Sequence, residues 1–318
     1  MEEYLLGEVP PGAIWLYLWQ NRDTVVIGRN QNPWKECRLA ELKADGGILV
    51  RRPSGGGAVF HDLGNLNYTI LTSSVRSSVE DFDVCRLLTP ILAAVRGVGV
   101  PAEFSGRNDL VSDGRKFSGT AHYHHRGSSL LHGTLLVNSD LERLGGYLKV
   151  SKAKIASKGI DSVRARVMNL VEVVPELTVS KLEEGLIAAF AAERGLPRSA
   201  ETLDPGSLPI QELVDKYGSW EWTFGETPPF DAEWERRFDW GELHLGAAFD
   251  DGLIRHARFY TDAMNPEPFD GLALSLRGSP WRRGDVRQAL SAVSARCESE
   301  RRVHQDVVAW VSELCPHL

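Results

Sequence analysis

The sequence predicts an α+β fold built on a mixed, mostly antiparallel sheet. Apolar segments with strand-like alternation occur in hairpin-like pairs, and Asp113-Gly114 is a strong turn signal between two of them. Helical segments lie between these pairs instead of following every strand, which disfavours a regular parallel βαβ array. With 318 residues, 42% of them hydrophobic, the chain can bury the core of one large domain and one smaller domain.

The first half of the chain begins with a helix and continues with strands. Residues 1–7 are typical of the last turns of a helix that ends at glycine. Segments 15–19 and 24–28 flank the turn Asn21-Arg22-Asp23 and predict a β-hairpin. The other predicted elements of this half are a helix over 36–43, strands over 48–50 and 66–71, a helix over 82–96, and strands over 106–111 and 129–137.

The second half predicts helices, one further hairpin and a domain boundary. Ser180 and Glu183 form a capping box for a helix that runs to Arg194 and ends at Gly195. Thr227-Pro228-Pro229 predicts a boundary, so we expect domains over 1–226 and 231–318. The remaining predicted elements are a helix over 210–217, paired strands over 243–249 and 253–260, and helices over 284–297 and 303–314.

Composition excludes several classes of protein. The net charge of −7 argues against nucleic acid as the main partner, because such proteins normally present a basic face. The four cysteines have no CxxC spacing, which disfavours disulfides and a zinc site and favours a reducing, cytoplasmic compartment. No apolar run is long enough to span a membrane, and the N-terminus lacks a signal-peptide pattern.

A run of three glycines is the first candidate site. Gly55-Gly56-Gly57 lies between an arginine pair, Arg51-Arg52, and a His61-Asp62 pair, with strand segments on both sides. Glycine permits positive φ and close backbone approach, successive N–H groups can cradle an anion, and arginine offers bidentate donors. The alternative is a flexible turn with solvated arginines. The combination of motifs favours a ligand loop.

Two further cationic features could bind an anion. Lys116 stands among small residues, where a ligand could reach its ammonium and form a charged hydrogen bond of about 1.5–3 kcal/mol. Residues 149–166 carry six cationic side chains and one acid, and a solvated helix end explains them as well as an anion-binding loop does. Asp109 and His132 could be polar walls of a site or hydrogen-bonded core residues.

Other enzyme motifs are absent from the sequence. GxGxxG, GxxxxGK[ST], GxSxG and HExxH do not occur, which disfavours nicotinamide, P-loop, α/β-hydrolase and zincin chemistry. The histidines in His122-Tyr123-His124-His125 have no nearby carboxylate or cysteine, so we expect them to be exposed instead of binding a metal. A glycine loop, a lysine and a basic loop suit phosphate handling without covalent catalysis.

Together these motifs resemble lipoate–protein ligase A, of the biotinyl/lipoyl protein ligase superfamily. RRPSGGGAVFHDLGN resembles the family's lipoate-binding loop, and GRNDLVSDGRKFSGTA with LLHGTLLVN resembles its next block. KGIDSVRARVMNL resembles its adenylate-binding loop, and YGSWEWTFGETPPF resembles the junction to its accessory domain. The blocks cover nearly the whole chain in the family's order. The resemblance implies a large α+β catalytic domain and a small α+β C-terminal accessory domain.

The resemblance also implies site residues. Lys116 would be the catalytic residue and would bind both the lipoyl carbonyl and the phosphate, while Asp109 is a candidate beside the Mg-phosphate, whose other ligands stay open. The residues implied for ATP or the adenylate are Arg52, Gly57, Ala58, Val59, Phe60, Lys116, Lys158, Gly159, Ser162 and Arg164. Those implied for lipoate are Arg52, Ser54, Gly55, Gly56, Gly57, His61, Lys116, Gly119 and His132.

The implied reaction has two steps. Lipoate and ATP, with Mg²⁺, give lipoyl-AMP and pyrophosphate, and the lipoyl group then passes to a lysine of an acceptor domain. The implied acceptors are acyltransferase subunits of 2-oxoacid dehydrogenases and the glycine-cleavage H protein, and the implied enzyme is a cytoplasmic monomer. Alternatives are an octanoyl or lipoyl transferase of the same fold, in which only Cys37 could be the thiol, and a non-catalytic lipoyl-domain binding paralogue. A biotin ligase is disfavoured because its GRGRxG-type loop is absent.

The N-terminus departs from the family's pattern. Relatives begin with a strand and a longer first helix before the segment that matches Glu2-Glu3-Tyr4-Leu5-Leu6. We therefore expect an edge strand to be missing ahead of Met1, or the start to be assigned late, and an unpaired sheet edge to be exposed as a result.

Overall fold

A computed structural model describes residues 1–73, 83–106, 108–149, 167–225, 230–250 and 252–315. The chain divides into two compact units. Unit 1 comprises 1–27, 34–51 and 58–219, and unit 2 comprises 220–318 with two short segments, 28–33 and 52–57. In the described residues, no helix combines the length and the apolar character that crossing a membrane requires.

The helices and strands agree with an α+β fold. In chain order they are α1 (Glu2–Glu8), β1 (Ile14–Trp19), β2 (Thr24–Ile27), α2 (Pro33–Glu36), α3 (Leu39–Ala44), β3 (Ile48–Arg51), β4 (Val59–His61), β5 (Asn65–Ser73), α4 (Val84–Gly97), β6 (Glu103–Ser105), β7 (Asp109–Ser112), β8 (Arg115–His125), β9 (Ser128–Leu136), α5 (Leu141–Tyr147), α6 (Val179–Arg194), α7 (Gln211–Gly218), α8 (Trp220–Thr223), β10 (Ala232–Phe238), β11 (Gly241–Asp250), β12 (Leu253–Thr261), α9 (Glu267–Ser275), α10 (Arg283–Ser291) and α11 (Glu298–Leu314).

The main sheet of unit 1 has the strand order β1-β5-β9-β8-β7-β6, and all its pairs are antiparallel. Strand β5, next to the edge strand β1, buries Leu66, Tyr68 and Ile70 on one face, in the cluster that also contains the apolar sides of α4 and α6. Tyr68 fits there because the neighbouring residue on β9 is Gly133, where a Cβ would stand 2.5 Å from the tyrosine Oη. The opposite face of β5 carries polar side chains and contributes to the candidate site.

A smaller sheet corrects the predicted hairpin at residues 15–28. Strand β1 pairs with β5 in the main sheet, whereas β2 pairs with β3 in parallel and with β4 antiparallel. The turn before β2 exists, with Asp23 at φ 46°, but it connects two sheets instead of two paired strands. The chain also forms β4 inside the segment interpreted as a ligand loop. Local alternation identifies a strand, and tertiary packing selects its partner.

The His61-Asp62-Leu63-Gly64 turn between β4 and β5 has a structural role. The Asp62 carboxylate accepts the Gly64 N–H at 2.9 Å and the Asp140 N–H, at the start of α5, at 2.6 Å. A Cβ on Gly64 would lie 2.0 Å from the Asn138 carbonyl oxygen, so the backbone approach requires glycine. The motif therefore joins the two sheets of unit 1 to α5.

The N-terminal helix α1 is attached to α7 by a partly buried ionic cluster. Glu3 accepts from the Lys216 ammonium at 2.9 and 2.7 Å and also from the Tyr217 hydroxyl. Burial by itself would raise the pKa of Glu3, but the bonds from Lys216 and Tyr217 outweigh it, and the pKa lies below the ordinary 4.5. The same contact and burial raise the pKa of Tyr217.

We expect this cluster to make folding stability depend on acid pH. Since the folded-state pKa of Glu3 is below its unfolded value of 4.5, its contribution is complete above that pH and disappears as the pH falls through the folded-state value. Glu3→Ala should cost about 1.5–3 kcal/mol at pH 7 and reduce the loss of stability below pH 4.5. Urea unfolding at several pH values tests this, with the exposed Glu8→Ala as control; equal slopes in both variants would contradict it.

Unit 2 contains the three-stranded sheet β10-β11-β12 and the helices α9, α10 and α11. Leu243, Leu245 and Phe259 on the inner face of this sheet pack with Leu290 of α10 and Trp310 of α11. The predicted hairpin of β11 and β12 and the predicted last two helices are present. Strand β10 and helix α9 have no counterpart among the predicted elements.

Other boundaries also differ from prediction. The helix that begins at Val179 is capped by Thr178, whose side chain accepts the Lys181 N–H, so the predicted capping box at Ser180 is wrong. Its end at Gly195, with φ 63°, is confirmed. The helix predicted over 36–43 is two short helices, because Cys37 forms a β-bridge with Leu148 between them. Helix α5 was also missed.

Candidate active site

Lys116 lies near the start of β8 and forms an ion pair across the β7–β8 hairpin. Its Nζ is 2.7 Å from Asp109 Oδ1, and both side chains are about one-third exposed. The pairing register shifts between Leu110 and Val111, so that Val111 faces Lys116 and Asp109 faces Gly119. Asp109 Oδ1 accepts no hydrogen bond from the described residues, so its contact with the ammonium is an ion pair. The ammonium of this partly exposed side chain is thereby held on one carboxylate and remains accessible to a ligand.

Gly119 makes this position of the lysine possible. A Cβ at residue 119 would be 2.9 Å from Lys116 Nζ and 3.0 Å from its Cε. The lysine backbone is fixed on its other side, where its carbonyl accepts the Met168 N–H at 2.9 Å. The adjacent Arg115 binds Glu172 at 2.7 Å and the Val167 carbonyl at 3.1 Å. The strand is therefore rigid at Lys116, while the end of the side chain is free to exchange partners.

A polar strip crosses the outer face of β5 and β9 in the same unit. Thr69 and His132 are directly opposite each other in the register. Glu2 of α1 joins them, since its Oε1 lies 2.9 Å from His132 Nδ1 and accepts from the Thr69 hydroxyl at 2.5 Å. Trp19 Nε1 donates to the same hydroxyl at 3.0 Å. No pattern in the sequence points to Glu2, because its role depends on how α1 packs on the sheet.

The Glu2 carboxylate is charged in this position. Burial would raise its pKa, but His132 and the hydrogen bond from Thr69 reverse this effect and hold the pKa below the ordinary 4.5. Farther along the strip, Asn65 Oδ1 and Asn67 Nδ2 are buried without a hydrogen-bond partner among the described residues. Buried polar atoms are rarely unsatisfied, so the strip retains hydrogen-bonding capacity for a ligand.

Strand β4 presents its residues differently from the sequence expectation. The Phe60 side chain is 1% exposed, packs 5.2 Å from the Tyr147 ring and lies under the Arg143 guanidinium at 5.4 Å. Only its backbone could therefore contact a nucleotide. His61 is also buried, with Nδ1 3.3 Å from Asn21 Nδ2 and its ring edge-on to Trp19 at 5.8 Å. Ala58 and Val59 remain partly exposed.

The glycine loop belongs to unit 2 and is held together by Arg52. The Arg52 guanidinium donates to the Gly55 carbonyl at 2.6 Å, the Gly57 carbonyl at 2.8 Å and Ser54 Oγ at 3.0 Å. Ser54 is fully buried, and its carbonyl accepts the Arg29 N–H at 2.8 Å. Binding a phosphate through Nε or Nη2 of Arg52 would thus require that atom to exchange a bond within its own loop.

Gly55 and Gly56 allow two backbone segments of unit 2 to come close together. From the sequence, the same glycines were expected to allow a ligand to approach the backbone. A Cβ on Gly55 would lie 2.2 Å from the Ala263 carbonyl oxygen and 2.5 Å from that of Met264. The Gly56 N–H, in a residue with φ 86°, donates to the Ala263 carbonyl at 2.9 Å and is not available to an anion in this arrangement. A Cβ added at Gly57 would have no other atom within 4 Å.

Residues of unit 2 also hold the loop 28–33, which precedes the glycine loop in the chain. The Thr261 N–H donates to the Asn30 carbonyl at 2.7 Å, and the Asn30 Nδ2 donates to the Pro266 carbonyl at 2.7 Å. The segment 261–266 therefore contacts both short segments that belong to this unit. Lys158, Gly159, Ser162 and Arg164, which the resemblance assigns to the adenylate, lie outside the described residues.

Mg²⁺ fits the surroundings of Lys116 as a companion of a nucleotide. This ion usually takes one or two carboxylates and completes its shell with phosphate oxygens and water. Asp109 offers one accessible carboxylate beside Lys116 Nζ and would hold the ion there. In the described residues, the group of three with metal-ligand spacing is Glu235, Glu242 and His244 on β10 and β11. Arg237 lies 3.4 Å from Glu242, so that group is an ion-pair network.

Cys37 is the cysteine that an acyl-thioester mechanism would use as its nucleophile. Cys37 is 1% exposed, and burial raises the pKa of its thiol to about 11, so it is a poor nucleophile.

His122 and His124 are partly buried, which corrects the expectation of exposed side chains. Burial and the neighbouring His124 and His132 lower the pKa of His122 to about 4, and it is neutral at pH 7.

Two family models match the chain. Residues 1–191 match the lipoyl protein ligase A/B catalytic domain. Residues 227–311 match the bacterial lipoate protein ligase C-terminus. The first match covers more than half of the chain, and the second covers most of the part that contains β10 to β12 and α9 to α11.

Solved structures of similar sequence support both assignments. P. falciparum LipL1 in complex with lipoate is 27% identical, with a TM-score of 0.79, over 95% of this chain and 88% of its own. A bi-partite lipoate protein ligase from Thermoplasma acidophilum is 27% identical, with a TM-score of 0.63, over 72% and 91%. Lipoate-protein ligase A bound with ATP is 26% identical, with a TM-score of 0.59, over 71% and 92%. The predicted fold class and resemblance are confirmed: the chain belongs to the lipoyl protein ligase A/B family and has the C-terminal domain of bacterial lipoate protein ligases.

Proposed function

We propose that the protein is an ATP-dependent lipoate–protein ligase. It activates lipoate to lipoyl-AMP with release of pyrophosphate, and then transfers the lipoyl group to a lysine ε-amine of an acceptor domain. The observation that carries the proposal is the ammonium of the partly exposed Lys116 side chain, held 2.7 Å from Asp109 over Gly119. Similarity to a lipoate complex and to an ATP complex supports both substrates.

Lys116 suits the first step for an electrostatic reason. The lipoate carboxylate must approach an α-phosphate of the same charge, and a fixed ammonium between them offsets the repulsion. Because Lys116 is already paired with Asp109, its binding to substrate is an exchange of one anion for another. Little reorganisation is then needed in the transition state, which is the advantage of a preorganised charge. Positioning of the two reactants supplies much of the remaining rate.

The other implied residues have separate roles in this proposal. The backbone of the glycine loop and of residues 58–60 would contact the nucleotide, and the 158–164 loop would close over the labile adenylate and exclude water. Mg²⁺ bound at Asp109 would neutralise phosphate charge. The outer polar strip with His132 would contact the acyl part of lipoate.

The transferase alternative requires an acyl-thioester on an accessible thiol. Cys37 does not meet this requirement, since it is buried and its pKa is raised. Cys85 is exposed in the first turn of α4, outside the strands that carry Lys116 and the polar strip. A non-catalytic paralogue would have no need for a lysine held ready for exchange. Both observations favour the ligase.

Mass spectrometry of an apo-lipoyl domain incubated with the protein tests the proposal. The domain should gain the mass of one lipoyl group only when lipoate, ATP and Mg²⁺ are all present. Transfer from octanoyl carrier protein without ATP would establish the transferase instead, and binding without any mass gain would establish the paralogue. Acyltransferase subunits of 2-oxoacid dehydrogenases and the glycine-cleavage H protein are the proposed acceptors, and a cytoplasmic monomer is the proposed form.

Gly119→Ala should separate activity from stability. The new Cβ would displace only the end of a flexible lysine side chain, so we expect the melting temperature to remain within about 2 °C of the native one. Displacing Lys116 Nζ from its position should lower lipoate-dependent ATP–pyrophosphate exchange about 10- to 100-fold. Exchange assays with parallel thermal melts check this, and native exchange in a folded Gly119→Ala protein would refute the positional role of Lys116.

A further inference from the structure

A set of polar contacts connects the backbone of Lys116 to the rest of unit 1. It begins at Arg115, whose guanidinium donates to Glu172 Oε2 at 2.7 Å and to the Val167 carbonyl at 3.1 Å. Beside it, the Lys116 carbonyl accepts the Met168 N–H at 2.9 Å. Both residues at the start of β8 are therefore attached to the short segment that includes Glu172.

Glu172 uses both of its carboxylate oxygens in this set of contacts. Its Oε2 accepts from Arg115, and its Oε1 accepts the Asn169 N–H at 2.8 Å. The hydrogen bond from Arg115 is the main reason that the pKa of Glu172 lies below the ordinary 4.5, so the carboxylate is charged at pH 7. A hydrogen bond between charged groups is shorter and stronger than a neutral one. Glu172 therefore fixes Arg115 against the backbone of Asn169.

Asn169 extends these contacts into the interior of unit 1. Its Oδ1 accepts the Ser139 N–H and its Nδ2 donates to the Ser139 carbonyl, each at 2.8 Å. Only this orientation of the amide satisfies both backbone groups, because the oxygen accepts and the nitrogen donates. Asn169 and Ser139 are both buried, so breaking these bonds would leave buried polar groups unsatisfied. The position of Asn169 is therefore fixed relative to Ser139.

The segment that contains Ser139 also holds the end of β4. The Asp140 N–H donates to Asp62 Oδ2 at 2.6 Å, and Asp62 directly follows the last residue of β4. Strand β8 at Lys116 is thus connected to β4, whose backbone is proposed to contact the nucleotide. This hydrogen-bond path consists, in order, of Arg115, Glu172, Asn169, Ser139, Asp140 and Asp62.

We propose that Glu172 and Asn169 are positioning residues, which set the place of the Lys116 ammonium relative to the backbone of β4. The inference rests on the ligase function proposed above, since it concerns the placing of the lysine for activation of lipoate. A misplacement of about 1 Å can cost about 100-fold in rate. Because the lysine keeps its charge when the path is broken, substrate binding should change less than turnover.

Arg115→Ala and Glu172→Ala break the exposed end of the path in the full chain. Both side chains are more than one-third exposed, so each variant should fold, which parallel thermal melts check. Each should lower the kcat of lipoate-dependent ATP–pyrophosphate exchange about tenfold, with the KM values for ATP and lipoate within about twofold of the native ones. The double variant should lose about as much as either single one, because both residues act through one contact. Arg115→Lys keeps a charged donor and should stay within about threefold of the native kcat.

Arg236→Ala is the matched control, since Arg236 forms a similarly exposed pair with Glu313, at 2.8 Å, within unit 2. It should leave kcat and both KM values within about twofold of the native ones. Native kcat in folded Arg115→Ala and Glu172→Ala would overturn the proposal while leaving the ligase function intact. A raised KM with an unchanged kcat would also overturn it, since the pair would then serve substrate binding. Losses that multiply in the double variant would exclude a shared path.

Failure of the ligase function is distinguished by a measurement that needs no activity. If the native protein shows no lipoate-dependent ATP–pyrophosphate exchange, deuterium uptake at the Met168 amide reports whether the path holds Lys116. This N–H donates to the Lys116 carbonyl, so its uptake should accelerate about tenfold in Glu172→Ala and stay unchanged in Arg236→Ala. Equal uptake in the native protein and in Glu172→Ala would overturn the positioning of Lys116 by Glu172.

Discussion

Lys116→Ala is expected to lower lipoate-dependent ATP–pyrophosphate exchange about 100- to 1000-fold, the loss typical of removing one preorganised donor at a developing charge. The reason is the charge balance at the first step. Without the ammonium, a carboxylate and a phosphate must approach beside Asp109, and three anionic groups then share one region. Exchange is the correct measurement, because it reports activation of lipoate without depending on any acceptor protein.

The lysine variant should remain folded. Asp109 is about one-third exposed, so water can solvate its carboxylate once Lys116 is removed, and the stability loss should be below about 1 kcal/mol. Lys43→Ala, at an exposed lysine of α3, is the matched control for loss of a positive charge. Exchange by folded Lys116→Ala at the level of Lys43→Ala would show that Lys116 has no catalytic role.

Sequence patterns predicted the elements of this fold better than their partners. The alternation that predicted strands at 15–19 and 24–28 is a local property of the sequence, and both strands are present. The partner of each strand depends on distant residues. Helix α5 was missed because Leu141–Tyr147 is short and contains two glycines, which weakens its helical signal. The buried strand β5 was clear, because polar and apolar residues alternate along it and its neighbours are turn residues.

The candidate site shows the same division. Lys116 was identifiable because small residues surround it in the sequence itself. Its partner Asp109 was only one of several polar residues nearby, and the bulge that brings the two together is not visible in the sequence. Glu2 could not have been linked to His132, 130 residues away, without the packing of α1 on β5 and β9.

The glycine loop shows how one residue type can have two explanations. Glycine was expected there because a ligand needs the backbone, yet Gly55 in this structure meets the carbonyls of Ala263 and Met264. Both explanations require the absence of a side chain, so the sequence cannot distinguish them. At Gly57, two residues further on, a Cβ would meet open space, so a close backbone approach does not explain this glycine. The pair of glycines therefore provides a test within one loop.

Gly55→Ala should destabilise unit 2 as well as impair activation of lipoate. Its Cβ would stand 2.2 Å from a backbone oxygen, which cannot move aside as a flexible side chain would, so the loop or the 263–264 segment must shift. Overpacking of this kind costs about 1–3 kcal/mol. The shift would also break the Gly56 N–H bond to Ala263 and displace the carbonyls that Arg52 holds.

Gly57→Ala is the matched comparison for stability. Its φ is not in the left-handed region and nothing lies within 4 Å of the new Cβ, so the substitution should be neutral or stabilise by up to about 1 kcal/mol through the unfolded chain. Denaturant unfolding followed by tryptophan fluorescence, whose signal includes Trp234 and Trp310 of unit 2, measures both variants. If Gly55→Ala and Gly57→Ala unfold at the same denaturant concentration, the close approach of Gly55 to Ala263 does not explain the glycine at position 55.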